Sequence, residues 1–120
     1  MTNANLDQLK NEDFCYLTTT GRISGRPHSI EIWFALEGKT LYMLAGGRDS
    51  SDWVKNARKL PIVQVKIGES VFSGRARVVE NGEEDKFARK LVFDKYTPRD
   101  SDDLTEWSLT SLPVAVDLEA

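Results

Sequence analysis

The 120-residue sequence contains a single cysteine and no apolar run long enough to cross a membrane. One thiol, Cys15, cannot form an internal disulfide, and such sparing use of cysteine is typical of reducing compartments. The start of the chain also lacks the basic segment and apolar core of a signal peptide. These absences predict a cytoplasmic protein without a membrane span.

Positive charge and metal ligands are sparse as well. The chain has 16 Lys and Arg residues against 19 Asp and Glu residues, a formal net charge of −3, which argues against a dedicated nucleic-acid binder. The alternative is a small-barrel nucleic-acid module whose binding would weaken steeply with salt. Its contacts would come from Arg22, Arg26, Arg48, Arg58 and Trp33. His28 is the only histidine, and no Cys, His and carboxylate cluster has ligand spacing, so we predict no metal site.

Short runs rich in aromatic and β-branched residues, separated by turn residues, predict β-strands. Six such runs are present, over 14–20, 27–36, 40–45, 62–67, 70–79 and 112–118. Helices are predicted over 5–12, 50–59 and 82–96, the last capped by Asn81, with a further helical turn near 104–107. We therefore predict a single domain, 1–120, that is mainly β with inserted helices. A six-stranded antiparallel barrel is favoured, because closure removes exposed strand edges.

The segment between the first two predicted strands, 18–28, has the composition of an anion site. Arg22 and Arg26 carry guanidinium groups, which bind phosphate or carboxylate oxygens in pairs. Gly21 and Gly25 let backbone N–H groups approach the same oxygens. The alternative is an ordinary hairpin turn, in which we expect the arginines to be exposed and solvated.

A second candidate anion site lies just before the predicted helix 50–59. Gly46, Gly47 and Arg48 end a strand there, and backbone N–H groups at a helix start attract anions. An ordinary strand-to-helix loop is the equal alternative. On the helix itself, Trp53 and Asn56 share one face at a spacing of three residues.

Five motifs occur in a fixed order: Thr-Thr-Thr-Gly-Arg-x-Ser-Gly-x-Pro from Thr18, an aromatic at Trp33, Gly46-Gly47, Asp52-Trp53-x-x-Asn56 and Pro61-x-Val63-x-Val65. This ordered set resembles the FMN-binding split-barrel (pyridoxamine 5'-phosphate oxidase-like) superfamily. Within it, the chain is most similar to the deazaflavin (coenzyme F-420)-dependent nitroreductases and oxidoreductases, from Phe14 to Leu118. The resemblance implies a six-stranded split β-barrel that transfers a hydride to a quinone, a nitro compound or an unsaturated carbonyl. Split barrels commonly pair so that each cofactor lies at a subunit junction, so the resemblance favours a homodimer; the alternative is a monomer, as in some deazaflavin enzymes.

The resemblance further implies which residues bind the cofactor. They are Arg22, Ser24, Gly25, Pro27, His28, Trp33, Gly46, Gly47, Arg48, Trp53 and Asn56. The turn residues would hold a phosphate, and Trp33 would lie near the reactive ring, with a second core or an interface as the equal alternative. The family often has Lys at position 23 and Arg at position 28, so Ile23 and His28 leave this chain fewer fixed charges.

The resemblance favours coenzyme F-420 (8-hydroxy-5-deazaflavin) as the cofactor, with FMN as the alternative. The basic residues Arg48, Lys55, Arg58 and Lys59 would then hold the glutamate tail that FMN lacks, unless they form a solvated helix face. No catalytic residue is assigned, and a proton would come from solvent or from Tyr96. The alternative functions are an FMN-dependent reductase or oxidase of the same fold and a non-catalytic carrier of flavin, haem or lipid.

Overall fold

A computed structural model describes residues 2–119, with side chains from Leu6 onward. In this part of the chain one antiparallel sheet contains seven strands: β1 (Cys15–Thr20), β2 (Pro27–Ile32), β3 (Ala35–Glu37), β4 (Thr40–Ala45), β5 (Ile62–Ile67), β6 (Ser70–Val78) and β7 (Leu112–Glu119). The described helices are α1 (Thr2–Leu9), α2 (Asp52–Lys59), α3 (Gly82–Tyr96) and α4 (Thr105–Thr110). The strand order across the sheet is β2-β1-β5-β6-β7-β4-β3.

The mainly β architecture with inserted helices is confirmed, but the prediction of six strands is wrong, because the predicted strand 27–36 is two strands. β2 pairs with β1, whereas β3 pairs with β4 at the opposite edge of the sheet. Between them lie Trp33 and Phe34. Since two residues connect the two edge strands, the sheet must curl until its edges approach each other, which gives a half-barrel.

The side chain of Tyr96 holds this crossing in place. Phe34 N donates a hydrogen bond of 3.0 Å to the Tyr96 hydroxyl, which in turn lies 2.7 Å from the carbonyl oxygen of Asp13 and 3.0 Å from that of Phe34. Burial raises the pKa of Tyr96 to about 12. The hydroxyl is therefore committed to the fold rather than available as a proton donor.

Most other predicted elements are confirmed with small shifts of their ends. β4, β5 and α3 have the predicted bounds, whereas α1 covers Thr2–Leu9 instead of 5–12. α2 begins at Asp52 because a 3₁₀ turn, Arg48–Ser50, precedes it. α3 begins after Asn81, whose Oδ1 accepts hydrogen bonds from two backbone N–H groups of the first turn, as an N-cap does.

The inner face of the sheet carries the main hydrophobic core. Leu17, Val65 and Phe72 lie side by side on β1, β5 and β6 and are all buried. α2 contributes Val54 and Ala57 to the same core. Packing of α2 against the core therefore fixes the position of this helix beside the turn that joins β1 to β2.

The outer face of the sheet is covered on one half only. There α3 packs Ala88 and Val92 against Tyr42 and Ala115 of β4 and β7. The other half, over β1, β5 and β6, exposes a row of side chains that we call the open sheet face: Tyr16, Thr18, Ile62, Gln64, Lys66, Val71 and Ser73. Between residues 2 and 119, no helix has both the length and the apolar character needed to cross a membrane.

Candidate functional site

The turn between β1 and β2 is held rigid by its own hydrogen bonds. Gly21 N donates to the Arg26 carbonyl oxygen (2.7 Å), Gly25 N donates to that of Gly21 (2.8 Å), and Arg26 N donates to Ser24 Oγ (3.1 Å). Gly25 has a φ of +74°, which glycine adopts without strain. The glycine N–H groups are thus used inside the turn and do not face a ligand, contrary to the expectation from sequence.

Two other backbone donors of this turn remain for a ligand. The N–H groups of Ile23 and Ser24 make no hydrogen bond to any residue within the described part of the chain, and both residues are exposed. The Ser24 hydroxyl lies beside them and accepts a hydrogen bond, which leaves its own proton to donate. Successive N–H groups in a turn form an anion-binding concavity. The turn therefore offers donors of the kind that an oxyanion accepts.

This turn borders a cavity of about 640 Å³, which we call the cradle cavity. That volume is typical of a small-molecule site. The cradle cavity brings together six residues that the sequence predicted: Arg22, Ser24, Pro27, His28, Trp53 and Asn56. The remaining lining residues are Thr19, Gly21, Ile23, Ser29, Ile30 and Asp52. The predicted Gly25 belongs to the adjacent turn but does not line the cavity.

Arg22 is fixed by Asn56 of α2. Asn56 is 5 % exposed, and its Oδ1 accepts hydrogen bonds from Arg22 N (3.1 Å) and Arg22 Nη1 (2.7 Å). Its Nδ2 donates to Thr19 Oγ1 (3.4 Å), which fixes the orientation of the amide. Arg22 is consequently half-buried, and the expectation of an exposed turn arginine is wrong. Asn56 positions Arg22 and has little amide left to bind a ligand itself.

A carboxylate also borders Arg22. Asp52 Oδ1 lies 3.4 Å from Arg22 Nη2, and the Asp52 side chain is 85 % exposed. An ion pair with such an exposed partner is weak, because water screens it. An incoming anion can therefore compete with Asp52 for the guanidinium.

Gly21 matters for a reason that the sequence does not reveal. A Cβ atom at this position would lie 2.7 Å from both His28 Nε2 and Ser24 Oγ. The imidazole and the hydroxyl therefore close over the Gly21 backbone, and a side chain there would push them apart. Six residues that line the cradle cavity were not among the predicted cofactor-binding residues: Thr19, Gly21, Ile23, Ser29, Ile30 and Asp52. Of these, Gly21 had been placed in the candidate anion turn by its position directly after the Thr18–Thr20 strand end.

The other predicted site residues lie outside the cradle cavity. Trp33 stacks on Tyr96, with ring centroids 4.2 Å apart and planes within 3°, and meets the edge of Trp107 at 5.7 Å. Gly46 faces Trp107, whose Nε1 would lie 3.5 Å from a Cβ at that position. Trp33 and Gly46 thus border one cluster of aromatic side chains, which does not line the cradle cavity.

Gly47 and Arg48 form the loop before α2. Arg48 donates from Nη1 to the carbonyl oxygen of Thr110, which ties this loop to the end of α4. A Cβ at Gly47 would lie 2.5 Å from Ser51 Oγ, so the loop is tightly closed there. The structure therefore separates the predicted phosphate turn from the Gly46–Arg48 loop.

Five further side chains lie where the structure can be compared with the sequence. Cys15 is fully buried, and burial raises the pKa of its thiol to about 12, as expected for a structural cysteine. The basic residues of α2, Lys55, Arg58 and Lys59, are exposed, and none lines the cradle cavity. Trp53 both lines that cavity and packs against the main core. Among the described residues, no group of His, Cys, Asp and Glu is arranged to hold a metal ion.

The half-barrel sheet, with a cavity at the β1–β2 turn beside α2, defines a split-barrel protein of the pyridoxamine 5'-phosphate oxidase-like class. The family model for F420H(2)-dependent quinone reductase matches residues 2–119. The chain belongs to this family of deazaflavin-dependent oxidoreductases.

Solved structures agree with this assignment. An F420-H2-dependent reductase is 27 % identical over 89 % of this chain and 94 % of its own, with a TM-score of 0.68. A protein described as a domain-swapped dimer is 26 % identical over 98 % of this chain and 93 % of its own, with a TM-score of 0.71. A FAD-binding protein from Mesorhizobium loti is 15 % identical over 100 % of this chain and 89 % of its own, and its TM-score of 0.75 shows a shared fold.

Proposed function

We propose that this chain binds coenzyme F-420 (8-hydroxy-5-deazaflavin) with its phosphate in the cradle cavity and reduces a small organic acceptor. One observation carries the proposal: Asn56 fixes Arg22 in a turn whose Ile23 and Ser24 N–H groups have no partner within the described residues. A guanidinium and two amides at a closed turn fit the oxygens of a phosphate. The residues present therefore suit the anionic part of such a coenzyme.

The protein's own groups would bind and position, because the bound coenzyme supplies the hydride. Arg22, Ser24 and His28 would hold the phosphate end. Ile30 and Trp53 give the cradle cavity an apolar wall. Tyr96 takes no part in proton transfer on this account, so the acceptor's proton comes from solvent.

FMN remains the second candidate cofactor, because it presents a phosphate to the same turn. The two coenzymes differ beyond the phosphate, where the deazaflavin carries a glutamate tail. Lys55 and Lys59 on the exposed side of α2, and Arg48 before it, would attract that tail. Such contacts between exposed charges are screened by salt. Tighter binding of the deazaflavin than of FMN at low ionic strength would support a role for these side chains.

Turnover tests the proposed reduction. The protein is mixed without oxygen with reduced coenzyme F-420 and, in separate reactions, a quinone, a nitro compound and an unsaturated carbonyl. We expect at least one acceptor to oxidise the coenzyme faster than without protein. Asn56→Ala should raise the KM for the coenzyme, because Arg22 loses its support. Lys86→Ala should not, because Lys86 is exposed on α3 and belongs neither to the cradle cavity nor to the open sheet face. Binding without turnover of any of the three acceptors would instead favour a carrier.

We also propose that the chain forms a homodimer through the open sheet face. Three exposed apolar side chains lie on this face, with Tyr16 41 %, Ile62 56 % and Val71 59 % exposed. Pro27 borders both the cradle cavity and the shallow cavity of this face, so a partner seated on it would adjoin the cradle cavity. The similar protein described as a domain-swapped dimer supports self-association in this fold.

Sedimentation equilibrium tests the dimer. Val71→Glu places a charge on the open sheet face and should shift the protein toward monomer. Leu109→Glu is the matched control, because Leu109 is 65 % exposed on α4, away from this face. A wild-type protein that stays monomeric at high micromolar concentration would contradict the proposal.

A further inference from the structure

A second cavity, of about 480 Å³, lies between β3, the segment after α1 and the C-terminal end of α3. Its polar and charged lining includes Lys10, Asn11, Glu37, Asp94, Lys95 and Arg99. It shares no lining residue with the cradle cavity. We call it the Lys95 cavity.

Lys95 is a half-buried cation without a carboxylate partner. Its Nζ donates to the carbonyl oxygen of Phe34 at 2.9 Å and lies 3.7 Å from the centroid of the Phe34 ring. Among residues 6–119 no carboxylate oxygen comes within 4.0 Å of this ammonium. Burial and the nearby Arg99 lower the pKa of Lys95 to about 8. Charged groups that are removed from water are normally paired with an opposite charge. The Lys95 ammonium has no such counter-ion among residues 6–119, and the adjacent cavity is large enough to hold one.

The other cations around this cavity increase the need for an anion. Arg99 uses Nη1 for Asp13 Oδ1 (2.7 Å) and the Asn11 carbonyl oxygen (3.0 Å), while its Nε and Nη2 have no partner within the described residues. Lys10 adds a further positive charge. Of the two lining carboxylates, Asp94 is paired with Lys90 at 2.8 Å, and Glu37 is exposed without a partner among the described residues.

We propose that the Lys95 cavity binds a small oxyanion, one carboxylate or phosphate-type group, between Lys95, Arg99 and Lys10. The anion would pair the ammonium and accept hydrogen bonds from the outward N–H groups of Arg99, both of which are charge-assisted. The Phe34 carbonyl oxygen accepts a hydrogen bond from the Lys95 ammonium, and Phe34 also lies in the connection between β2 and β3. This site is independent of coenzyme binding in the cradle cavity.

The proposal predicts a pH dependence with a definite sign. The anion needs a protonated Lys95, so its affinity falls as pH rises through about 8. Cys15 and Tyr96, whose pKa values burial raises to about 12, stay neutral in this range. The remaining charged groups that face the ammonium or line the cavity are Lys10, Glu12, Asp13, Glu37, Asp94 and Arg99.

Residue-resolved NMR titration at constant ionic strength tests the site. The probes are sulfate, which stands for a phosphate-type group, and acetate, which stands for a carboxylate; neither changes charge between pH 7 and 9.5. We expect saturable shifts at the backbone amides of Lys10, Lys95 and Arg99, with a dissociation constant on the order of millimolar. Affinity should fall about tenfold or more at the higher pH. The probe that binds more tightly identifies the ligand class.

Four variants sharpen the test. Lys95→Met should weaken binding about tenfold or more, the loss of one charge-assisted hydrogen bond, and it should fold because Tyr96 still bonds the Phe34 carbonyl. Lys95→Arg should keep binding and remove the pH dependence. Glu37→Gln should tighten binding, and Lys86→Met, at an exposed position of α3 that does not line the cavity, should leave it unchanged. No saturable shift at these residues, or equal affinity in wild type and Lys95→Met, would overturn the proposal.

Discussion

Arg22 and Arg26 lie in the same turn, four positions apart, yet the fold treats them differently. Arg22 is half-buried and bonded to Asn56, whereas Arg26 is exposed and takes part in the turn only through its backbone. A fixed guanidinium loses less conformational freedom when it binds an anion than an exposed one does. Arg22 is therefore the residue whose loss should affect coenzyme binding most.

The first residue-scale prediction compares these two arginines. Arg22→Ala should weaken coenzyme binding by about 1.5–3 kcal/mol, the scale of a charge-assisted hydrogen bond. It should also lower the free energy of unfolding by about 1 kcal/mol, because the contact with Asn56 is lost. Arg26→Ala should change both quantities by less. Calorimetric titration and urea unfolding of the two variants give the comparison, and equal losses of affinity would show that the turn acts only by its net charge.

The residues of the cradle cavity differ in how far along the sequence their contact partners lie. Arg22, Ser24 and His28 could be predicted because one turn of sequence brings them together. The role of Asn56 in orienting Arg22 could not, because 34 residues separate the two. The same holds for Trp33, whose stacking partner Tyr96 is far along the chain. A role for Trp33 near a bound ring stays a prediction.

Among the elements, those with local signals were predicted best. α3 was predicted with its bounds, since its apolar spacing and its Asn81 cap lie in one short segment. The division between β2 and β3 was missed, because the residues from Pro27 to Leu36 read as one strand. What separates them is pairing with opposite edges of the sheet, which sequence pattern does not encode.

An ion-pair network ties α3 to the sheet and gives an element-scale prediction. Both Glu84 oxygens lie 2.8 Å from Arg77 nitrogens of β6, and Tyr42 of β4 donates to Glu84 at 2.7 Å. The hydrogen bonds from Arg77, and to a lesser extent that from Tyr42, lower the pKa of Glu84 to about 2. In the unfolded chain the pKa of Glu is about 4.3. The stabilisation is therefore complete above that pH and is lost as pH falls from there toward 2.

Glu84→Gln should reduce the free energy of unfolding at pH 7 by about 1 kcal/mol, since the pair is partly exposed. The difference from wild type should shrink as the pH approaches 2. Glu83→Gln is the matched control, because Glu83 is exposed and its hydrogen bond runs from its backbone N–H to the Asn81 cap, outside the network. Urea unfolding at pH 7 and pH 3 measures the effect. A Glu84→Gln deficit that is equally large at both pH values would contradict the assigned ion pair.

At the scale of the whole molecule, the two halves of the sheet differ in what covers their outer face. One half is covered by α3, which packs against the outer face and holds the crossing between β2 and β3 through Tyr96. The other half carries the cradle cavity at its end and leaves the open sheet face exposed. This arrangement places the turn between β1 and β2, an apolar wall and the open sheet face next to one another.

A calorimetric titration of the wild-type protein with coenzyme F-420 and, separately, with FMN tests most directly whether the protein binds such a coenzyme. We predict that coenzyme F-420 binds with micromolar or better affinity, corresponding to about −8 kcal/mol, and more tightly than FMN. Tighter binding of FMN would make FMN the cofactor. The absence of binding by both coenzymes at high micromolar concentration would contradict the central claim that the cradle cavity is a coenzyme site.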